Sequence, residues 1–312
     1  MTVTVLNALV RPLLEGHLPD WVEPRWFTNT EELMALAPEA EIGWFDSFDF
    51  GSTPKAVMLA ERLKWLNTLG AGVDIFPLDV LRERGAVFTN GAGLNAPTIA
   101  EYALMGMLVL AKGYREVVRA QERHEWLHDA PGKMELMGSK ALVIGAGGIG
   151  GRIAGLLRGI GVEVTEVRRR PAPGVLTVDQ WRARLGEFDW VIVVVPSTPD
   201  TDKMIGAAEL AAMKSSAAIL NFARGAVIDQ VALIEALKAR RIAAAFLDVT
   251  DPEPLPSDHP LWSLDNCHIS MHLSGRSQTL LFKRAAERFL ANLERWHGGE
   301  ELTHRVDLSL GY

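Results

Sequence analysis

KALVIGAGGIGGR, residues 140–152, is the stretch that decides the fold of this 312-residue chain. A short apolar run is followed at once by three spaced glycines and then by a segment of helical character. Such glycines permit a tight turn, a close approach of backbone to a pyrophosphate, and helix packing on the strand. Glycine turns also occur for purely structural reasons, so the strand and helix context carries the prediction of a dinucleotide site. The residues predicted to contact the dinucleotide are Gly145, Gly147, Gly148, Ile149 and Gly150.

The composition favours a globular protein and excludes several functional classes. Apolar residues make up 48% and charged residues 23% of the chain, as in ordinary soluble proteins. The net charge of -7 offers no basic surface for nucleic acid. We expect no membrane span and no signal peptide, because no apolar run approaches the roughly 20 residues that a bilayer requires. The single cysteine, Cys267, predicts a cytoplasmic protein without disulfides, and we expect no metal site.

Strand and helix patterns alternate beyond the glycine turn. The segments 162–167, 190–195, 217–221 and 242–247 are continuous apolar strands separated by helices. Continuous apolar strands predict a parallel sheet covered on both faces, which is a doubly wound domain of Rossmann type. Ligands of such sheets bind outside the carboxyl ends of the strands. The candidate residues at those ends are Pro196, Ser197, Asn221, Ala223, Arg224 and Asp248.

The first part of the chain predicts a second, smaller α/β unit. Strand patterns occupy 3–6, 42–45 and 63–67, and a glycine-rich loop, LGAGVD, follows at 69–74. This loop is either a plain turn or a set of backbone N–H groups that holds a carboxylate. A change of composition at Asn95, before a nearly all-apolar helix, predicts a domain boundary.

The second half of the cofactor pattern departs from that of NAD-binding domains. An acidic residue usually ends the second strand, about 20 positions beyond the glycines, and bonds the ribose hydroxyls. Here Arg168 takes that position, and the acidic candidate Glu166 lies within the strand. A guanidinium pairs well with the 2′-phosphate of NADP, and Arg169 and Arg170 add charge, although a solvated basic turn gives the same pattern. We predict NADP as the cofactor, with NAD as the alternative.

Six stretches together resemble the D-isomer-specific 2-hydroxyacid dehydrogenase family, and the similarity covers most of the chain. They are LKWLNTLGAGVD (63–74), NAPTIAEYALMGMLVLAK (95–112), MGSKALVIGAGGIG (137–150), VVPSTPDTDKMIG (194–206), ILNFARGAVIDQVALIEALK (219–238) and LDVTDPEPLPSDHPLW (247–262). The resemblance implies two Rossmann-like domains, with the nucleotide domain inserted into the substrate domain. We therefore expect residues 1–94 and 275–312 to form the substrate domain and 95–274 the dinucleotide-binding domain.

The resemblance also implies a catalytic trio of Arg224, Glu253 and His272. A 2-keto acid needs a cation for its carboxylate, which a planar and permanently charged guanidinium provides. It also needs a proton donor for its carbonyl oxygen, and an imidazole supported by a carboxylate suits that task. The neighbouring residues His268 and Asp251 are the competing candidates. SMHLSG stands where the family typically has a Pro-His pair, so Met271 replaces that proline.

Further roles follow from the resemblance alone. It implies that the backbone of Ala71 and Gly72 binds the substrate carboxylate, and that Asp248 contacts the nicotinamide amide. Asp46, Ser47 and Phe48 are expected to line the pocket for the substrate side chain. Trp126 is expected to reach a partner subunit in a homodimer.

These observations predict an oxidoreductase that transfers a hydride between NADP(H) and a small 2-keto or 2-hydroxy acid, such as glyoxylate or hydroxypyruvate. Two alternatives stay open. One is an NAD-linked dehydrogenase of a bulkier D-2-hydroxy acid. The other is a nucleotide-sensing scaffold without turnover.

Overall fold

A computed structural model of the chain describes residues 1–47, 49, 51–169, 173–276 and 280–311. The strands are β1 Thr2–Asn7, β2 Val22–Phe27, β3 Ile42–Trp44, β4 Trp65–Asn67, β5 Val87–Thr89, β6 Lys140–Ile144, β7 Glu163–Val167, β8 Val175–Leu176, β9 Trp190–Val193, β10 Ala218–Asn221, β11 Ala244–Leu247 and β12 Cys267–Ile269. The helices are α1 Arg11–Leu14, α2 Thr30–Leu36, α3 Ser52–Leu59, α4 Leu78–Glu83, α5 Ala96–Lys112, α6 Tyr114–Glu122, α7 Gly148–Gly159, α8 Ala207–Ala212, α9 Gln230–Lys238 and α10 Leu280–His297.

The chain forms two compact units. The first unit comprises Met1–Asn95 with Ser277–Tyr312, and the second unit comprises Ala96–Arg276. Each unit holds a parallel sheet flanked by helices. The predicted α/β class with two parallel sheets is therefore confirmed.

The sheet of the first unit has the strand order β2-β1-β3-β4-β5. Its interior is aromatic: Trp44 and Trp65 are fully buried, and Phe289 of α10 lies with its ring centroid 5.1 Å from each of theirs. Burying such large rings supplies much of the apolar stabilisation of a small domain. The final helix is thus part of the core of this unit.

The sheet of the second unit has the order β12-β11-β10-β9-β6-β7-β8. Its strands alternate between two apolar layers, so that Leu142 and Val191 face one layer while Val143 and Ile192 face the other. The strand order reverses between β6 and β9, and ligands of doubly wound sheets bind at such a reversal. The glycine turn follows β6 directly, so it lies at this point of the sheet.

Side chains close the starts of two helical segments. Asn29 caps α2, because its side chain accepts the N–H of Glu32. The side chain of Gln180 accepts the N–H of Thr177, ahead of a 3₁₀ helix over Arg182–Glu187.

Candidate active site

The glycine turn has a separate structural reason for each of two glycines. Gly145 has φ of +101°, and a Cβ there would lie 2.6 Å from the carbonyl oxygen of Val194. A Cβ on Gly150 would lie 2.3 Å from the carbonyl oxygen of Gly145. These two glycines therefore let the helix start close against the strands.

Gly147 differs, because nothing lies within 4 Å of a Cβ built on it. It caps α7, and no side-chain hydrogen bond closes this helix end. Gly147 and Gly148 are exposed and Ile149 is half-buried, so the first N–H groups of a helix stand beside open space. A helix N-terminus that a Cβ would partly fill fits the diphosphate of a dinucleotide.

At the end of β7, one buried carboxylate binds two guanidinium groups. Glu166 is 7% exposed, and its two oxygens lie 2.8 Å from Arg158 and 3.1 Å from Arg168. Arg169 lies 3.7 Å from Asp200. Because Arg158 shares the charge of Glu166, the exposed end of the strand stays positively charged at Arg168. Arg170 lies outside the described residues.

The turn after β10 positions Arg224. Asn221 is buried, and its side chain accepts the N–H of Ala223 at 2.9 Å and donates to the carbonyl oxygen of Arg224 at 3.0 Å. Arg224 is half-buried and donates from Nη1 to the carbonyl oxygen of Ala223 at 2.9 Å. A Cβ on Gly225 would lie 2.1 Å from the carbonyl oxygen of Thr250, so this turn packs directly on the loop that carries Glu253.

Glu253 and His272 lie side by side, with 2.7 Å between Oε2 and Nδ1. The other oxygen of Glu253 accepts the backbone N–H of Thr250 at 3.0 Å. The imidazole is 50% exposed, and its Nδ1 faces the carboxylate. An imidazole oriented by a carboxylate in this way has the geometry of a general acid or base.

The competing histidine has different surroundings. His268 lies in β12, where removal from water, aided by Arg115 and Arg119, lowers its pKa to about 4. It is therefore neutral near pH 7 and a poor proton donor there. Asp251 is exposed, and its backbone N–H and carbonyl oxygen bond the side chain of Gln230.

Asp248 follows β11 and is 3% exposed. Its Oδ1 accepts the hydroxyl of Ser270 at 2.7 Å and the N–H of Ser274 at 3.2 Å, and its Oδ2 accepts the hydroxyl of Ser274. The two serines flank His272 in sequence, two residues before and two residues after it. Neither serine is among the residues predicted from the sequence, although both lie at even spacing around the histidine. Pro196 and Ser197 are exposed after β9, at the same edge of this sheet.

In the first unit, the glycine-rich loop is braced by polar side chains. Asp46 accepts the hydroxyl of Thr68 at 2.7 Å and the N–H of Leu69 at 3.0 Å. Asn90 donates to the carbonyl oxygen of Ala71 at 2.8 Å. Burial raises the pKa of the Asp46 carboxyl, although these hydrogen bonds oppose the shift.

Ala71 and Gly72 are half-buried in this loop. Ser47 is also half-buried and donates to the carbonyl oxygen of Asp49 at 2.9 Å. Phe48, predicted for the substrate pocket, lies outside the described residues. The positions of Ala71, Gly72 and Ser47 are compatible with substrate binding, and their contacts with a substrate stay predictions.

The part of the chain that the structure describes contains no helix long and apolar enough to cross a membrane. Among the same residues, no group of three or more His, Cys, Asp or Glu side chains is arranged to hold a metal ion.

Comparison with known proteins identifies the family. The family described as "D-isomer specific 2-hydroxyacid dehydrogenase, NAD binding domain" matches residues 104–274, more than half of the chain. A D-3-phosphoglycerate dehydrogenase of Archaeoglobus fulgidus is 32% identical over 72% of this chain, but the match spans only 44% of that protein. The glyoxylate reductase/hydroxypyruvate reductase of Mus musculus is 33% identical over 74% of each chain.

Solved structures agree over nearly the full length. A D-isomer specific 2-hydroxyacid dehydrogenase family protein from Aeromonas salmonicida has a TM-score of 0.87 at 27% identity, covering 98% of this chain and 99% of that one. A D-isomer specific 2-hydroxyacid dehydrogenase from Xanthobacter autotrophicus, crystallised with NADPH and MES, has a TM-score of 0.78 at 26% identity, covering 100% and 99%. The chain therefore belongs to the D-isomer specific 2-hydroxyacid dehydrogenases, an oxidoreductase family, and carries their NAD binding domain.

Proposed function

We propose that this protein is an NADPH-preferring reductase of a small 2-keto acid of the glyoxylate or hydroxypyruvate class. The observation that carries the proposal is the 2.7 Å contact between Glu253 and His272, at the sheet edge that also bears Arg224 and the glycine turn. A permanent cation and a carboxylate-supported imidazole are the two groups that reduction of a 2-keto acid requires from the protein.

Arg224, His272 and Glu253 have separate roles in this reaction. The guanidinium of Arg224 binds the substrate carboxylate and polarises the neighbouring carbonyl. His272 holds a proton on Nε2 and gives it to the carbonyl oxygen, while Glu253 on Nδ1 stabilises the charged imidazole and fixes its orientation. The bound nicotinamide supplies the hydride, so the protein contributes orientation and charge. In the oxidising direction, His272 takes the proton from the hydroxyl.

The cofactor preference rests on the basic end of β7. Arg168 and Arg169 are exposed there, and Arg158 shares the negative charge of Glu166. An NADP 2′-phosphate gains charge-assisted hydrogen bonds at such a site, whereas NAD does not. The Xanthobacter family member crystallised with NADPH supports the same choice. Gly147, Gly148 and Ile149 would hold the diphosphate, and Asp248 would contact the nicotinamide amide.

The relatives of this chain are named for two different classes of substrate. The mouse relative is named for glyoxylate and hydroxypyruvate, whereas other relatives are named for 3-phosphoglycerate. A phosphorylated substrate needs cations in its side-chain pocket. The described residues predicted for that pocket, Asp46 and Ser47, are an acid and a hydroxyl, which favours a small uncharged side chain.

We place the enzyme in the cytoplasm as a homodimer. Apolar side chains with exposure of 38–86% gather on α5, α6 and the loop that follows. They are Met105, Leu108, Tyr114, Val118, Trp126 and Leu127. An apolar surface of this kind suits a subunit contact. The single buried Cys267 suits a reducing compartment.

The deciding experiment measures NADPH and NADH oxidation with glyoxylate, hydroxypyruvate, 3-phosphohydroxypyruvate, pyruvate and phenylpyruvate. We expect the highest kcat/KM with NADPH and one of the first two acids. His272→Ala should lower kcat by about 10²–10⁴-fold, the usual contribution of a general acid, with NADPH binding unchanged. If His268→Ala has that effect instead, the proton donor is misassigned. No turnover by the wild-type protein with any of the acids would favour the nucleotide-sensing scaffold.

A further inference from the structure

The turn that carries His272 has an unusual backbone. The N–H of Leu273 donates to the carbonyl oxygen of Ser270 at 3.1 Å, and the two residues between them have positive φ. The values are +52° for Met271 and +56° for His272. Left-handed backbone at both central positions is the pattern of a type I′ turn, which Asn, Asp and Gly favour. Neither Met nor His favours this conformation, so contacts outside the turn must maintain it.

Those contacts converge on Asp248. Its buried carboxylate bonds the hydroxyl of Ser270 before the turn, and the N–H and hydroxyl of Ser274 after it. Its backbone carbonyl oxygen also accepts the N–H of His272 at 2.6 Å. Asp248 therefore holds both ends of the turn through its carboxylate and the middle of the turn through its backbone carbonyl. Hydrogen bonds to a buried charge are stronger than neutral ones, which makes this grip effective.

We propose that Ser270 and Ser274 are positioning residues that act through Asp248 to hold His272 against Glu253. The proposal rests on the proposed function, because it assigns both serines to the step in which His272 transfers a proton. Without the grip, the turn relaxes toward negative φ and the imidazole rotates away from the carboxylate 2.7 Å from it.

The replacement of proline at position 271 has its reason in the same geometry. A proline ring fixes φ near −65°, which is incompatible with the +52° of Met271. Where the family typically has a rigid ring before the histidine, this chain uses a turn of the opposite hand, held by two serine hydroxyls on one aspartate. A proline and a left-handed turn therefore cannot both occur at position 271.

This exclusion gives the first test. Met271→Pro, which introduces the residue that the family typically has, should lower kcat/KM for the keto acid by at least about tenfold, because the turn cannot form. Met271→Gly should stay within about twofold of the wild type, because glycine adopts positive φ freely. NADPH affinity, followed by fluorescence, should be the same in all three proteins. A Met271→Pro enzyme as active as the wild type overturns the proposal.

The second test removes the serine hydroxyls. Ser274→Ala and Ser270→Ala should each lower kcat by about tenfold or more. Adding Met271→Gly to Ser274→Ala should restore much of kcat, because the turn then needs less support. The matched control is Ser309→Ala, an exposed serine that donates to Asp307, and it should not change kcat. Serine variants with wild-type kcat, or with losses that glycine does not rescue, contradict the proposal. If Ser274→Ala does not fold, the comparison at residue 271 decides.

A readout without turnover separates this proposal from the proposed function. The imidazole Cε1–H NMR signal of His272, assigned by its loss in His272→Ala, should move in Ser274→Ala toward its position in Glu253→Gln. If the signal moves while no keto acid is reduced, the serines position His272 but the proposed function fails. If the wild type reduces a keto acid and the signal does not respond to either serine variant, the positioning role fails and the proposed function stands.

Discussion

Arg168 stands between two possible negative partners, the carboxylate of Glu166 and the 2′-phosphate of a bound NADP. In the structure it lies 3.1 Å from Glu166, whose other oxygen is held by Arg158 at 2.8 Å. Because Arg158 can keep the buried carboxylate paired, Arg168 is able to turn to a phosphate without leaving a buried charge alone.

We predict that Arg168→Asp lowers the ratio of kcat/KM for NADPH to that for NADH by about 10–100-fold. The change removes a charge-assisted hydrogen bond and adds repulsion of the phosphate. Steady-state kinetics with both cofactors measures the ratio. Arg184→Asp is the control, since Arg184 is paired with Glu187 on an exposed 3₁₀ helix and should not affect it. An unchanged ratio in Arg168→Asp removes the argument for NADP.

Some contacts of single residues were predictable from the sequence and others were not. The contact between Glu253 and His272 is present in the structure as the motifs implied, because both residues follow adjacent strands, β11 and β12. The bonds of Asp248 with Ser270 and Ser274 were not predictable from a motif. They depend on the left-handed turn at Met271 and His272, and neither residue type favours such a turn.

Among the elements, the start of α7 separates glycines needed for folding from one needed for binding. Gly147→Ala places a methyl group in open space at the helix start, so the fold should tolerate it. We predict that it weakens NADPH binding at least about tenfold, because the methyl group obstructs the diphosphate. Titration of protein fluorescence with NADPH measures this.

Two neighbouring glycines serve as comparisons. Gly151→Ala, also with nothing within 4 Å, should bind NADPH as the wild type does and gain up to about 1 kcal/mol of helix stability. Gly150→Ala should lower the free energy of unfolding by about 1–3 kcal/mol, because its Cβ would lie 2.3 Å from a carbonyl oxygen. Equal NADPH affinity in Gly147→Ala and Gly151→Ala would contradict the diphosphate assignment.

Buried central strands were predictable and edge strands were not. The pattern 190–195 predicts β9 because a strand covered on both faces is continuously apolar. β2 was missed, since it carries Pro24 and charged residues, which are tolerated only because it lies at the edge of its sheet. β12 was missed for a related reason: it is short and lies at the other sheet's edge.

At the scale of the whole molecule, His268 links stability to pH. Removal from water lowers its pKa from the usual 6.5 to about 4. The unfolded chain therefore binds the proton more readily than the folded chain. The contribution of His268 to the free energy of unfolding keeps its full value above pH 6.5 and falls as pH falls toward 4. Because the side chain is partly exposed, we expect a loss of roughly 1–2 kcal/mol.

Urea unfolding at pH 4.5 and pH 7 measures this contribution. The free energy of unfolding of His268→Gln should fall less between the two pH values than that of the wild type, by the amount just given. An equal fall in both proteins would mean that His268 does not carry the effect.

The proposed homodimer is also testable on the intact molecule. Trp126, 86% exposed, is the most exposed tryptophan of the part that the structure describes. Trp126→Glu should shift the sedimenting species toward the monomer, because it places a charge in an apolar contact. Val231→Glu, a change at a 74% exposed valine of α9, is the control and should keep the dimer. A dimer that is unaffected by Trp126→Glu uses another surface.

The packing of α10 has a consequence for the order of events during synthesis. Trp44 and Trp65 are translated before the second unit, yet the ring that covers both of them, Phe289, is translated after it. The second unit, Ala96–Arg276, is complete before then. Domains usually mature in the order in which they are made, but here the middle of the chain is ready to fold first. The nascent first unit must therefore keep two tryptophans incompletely covered until translation has passed α10.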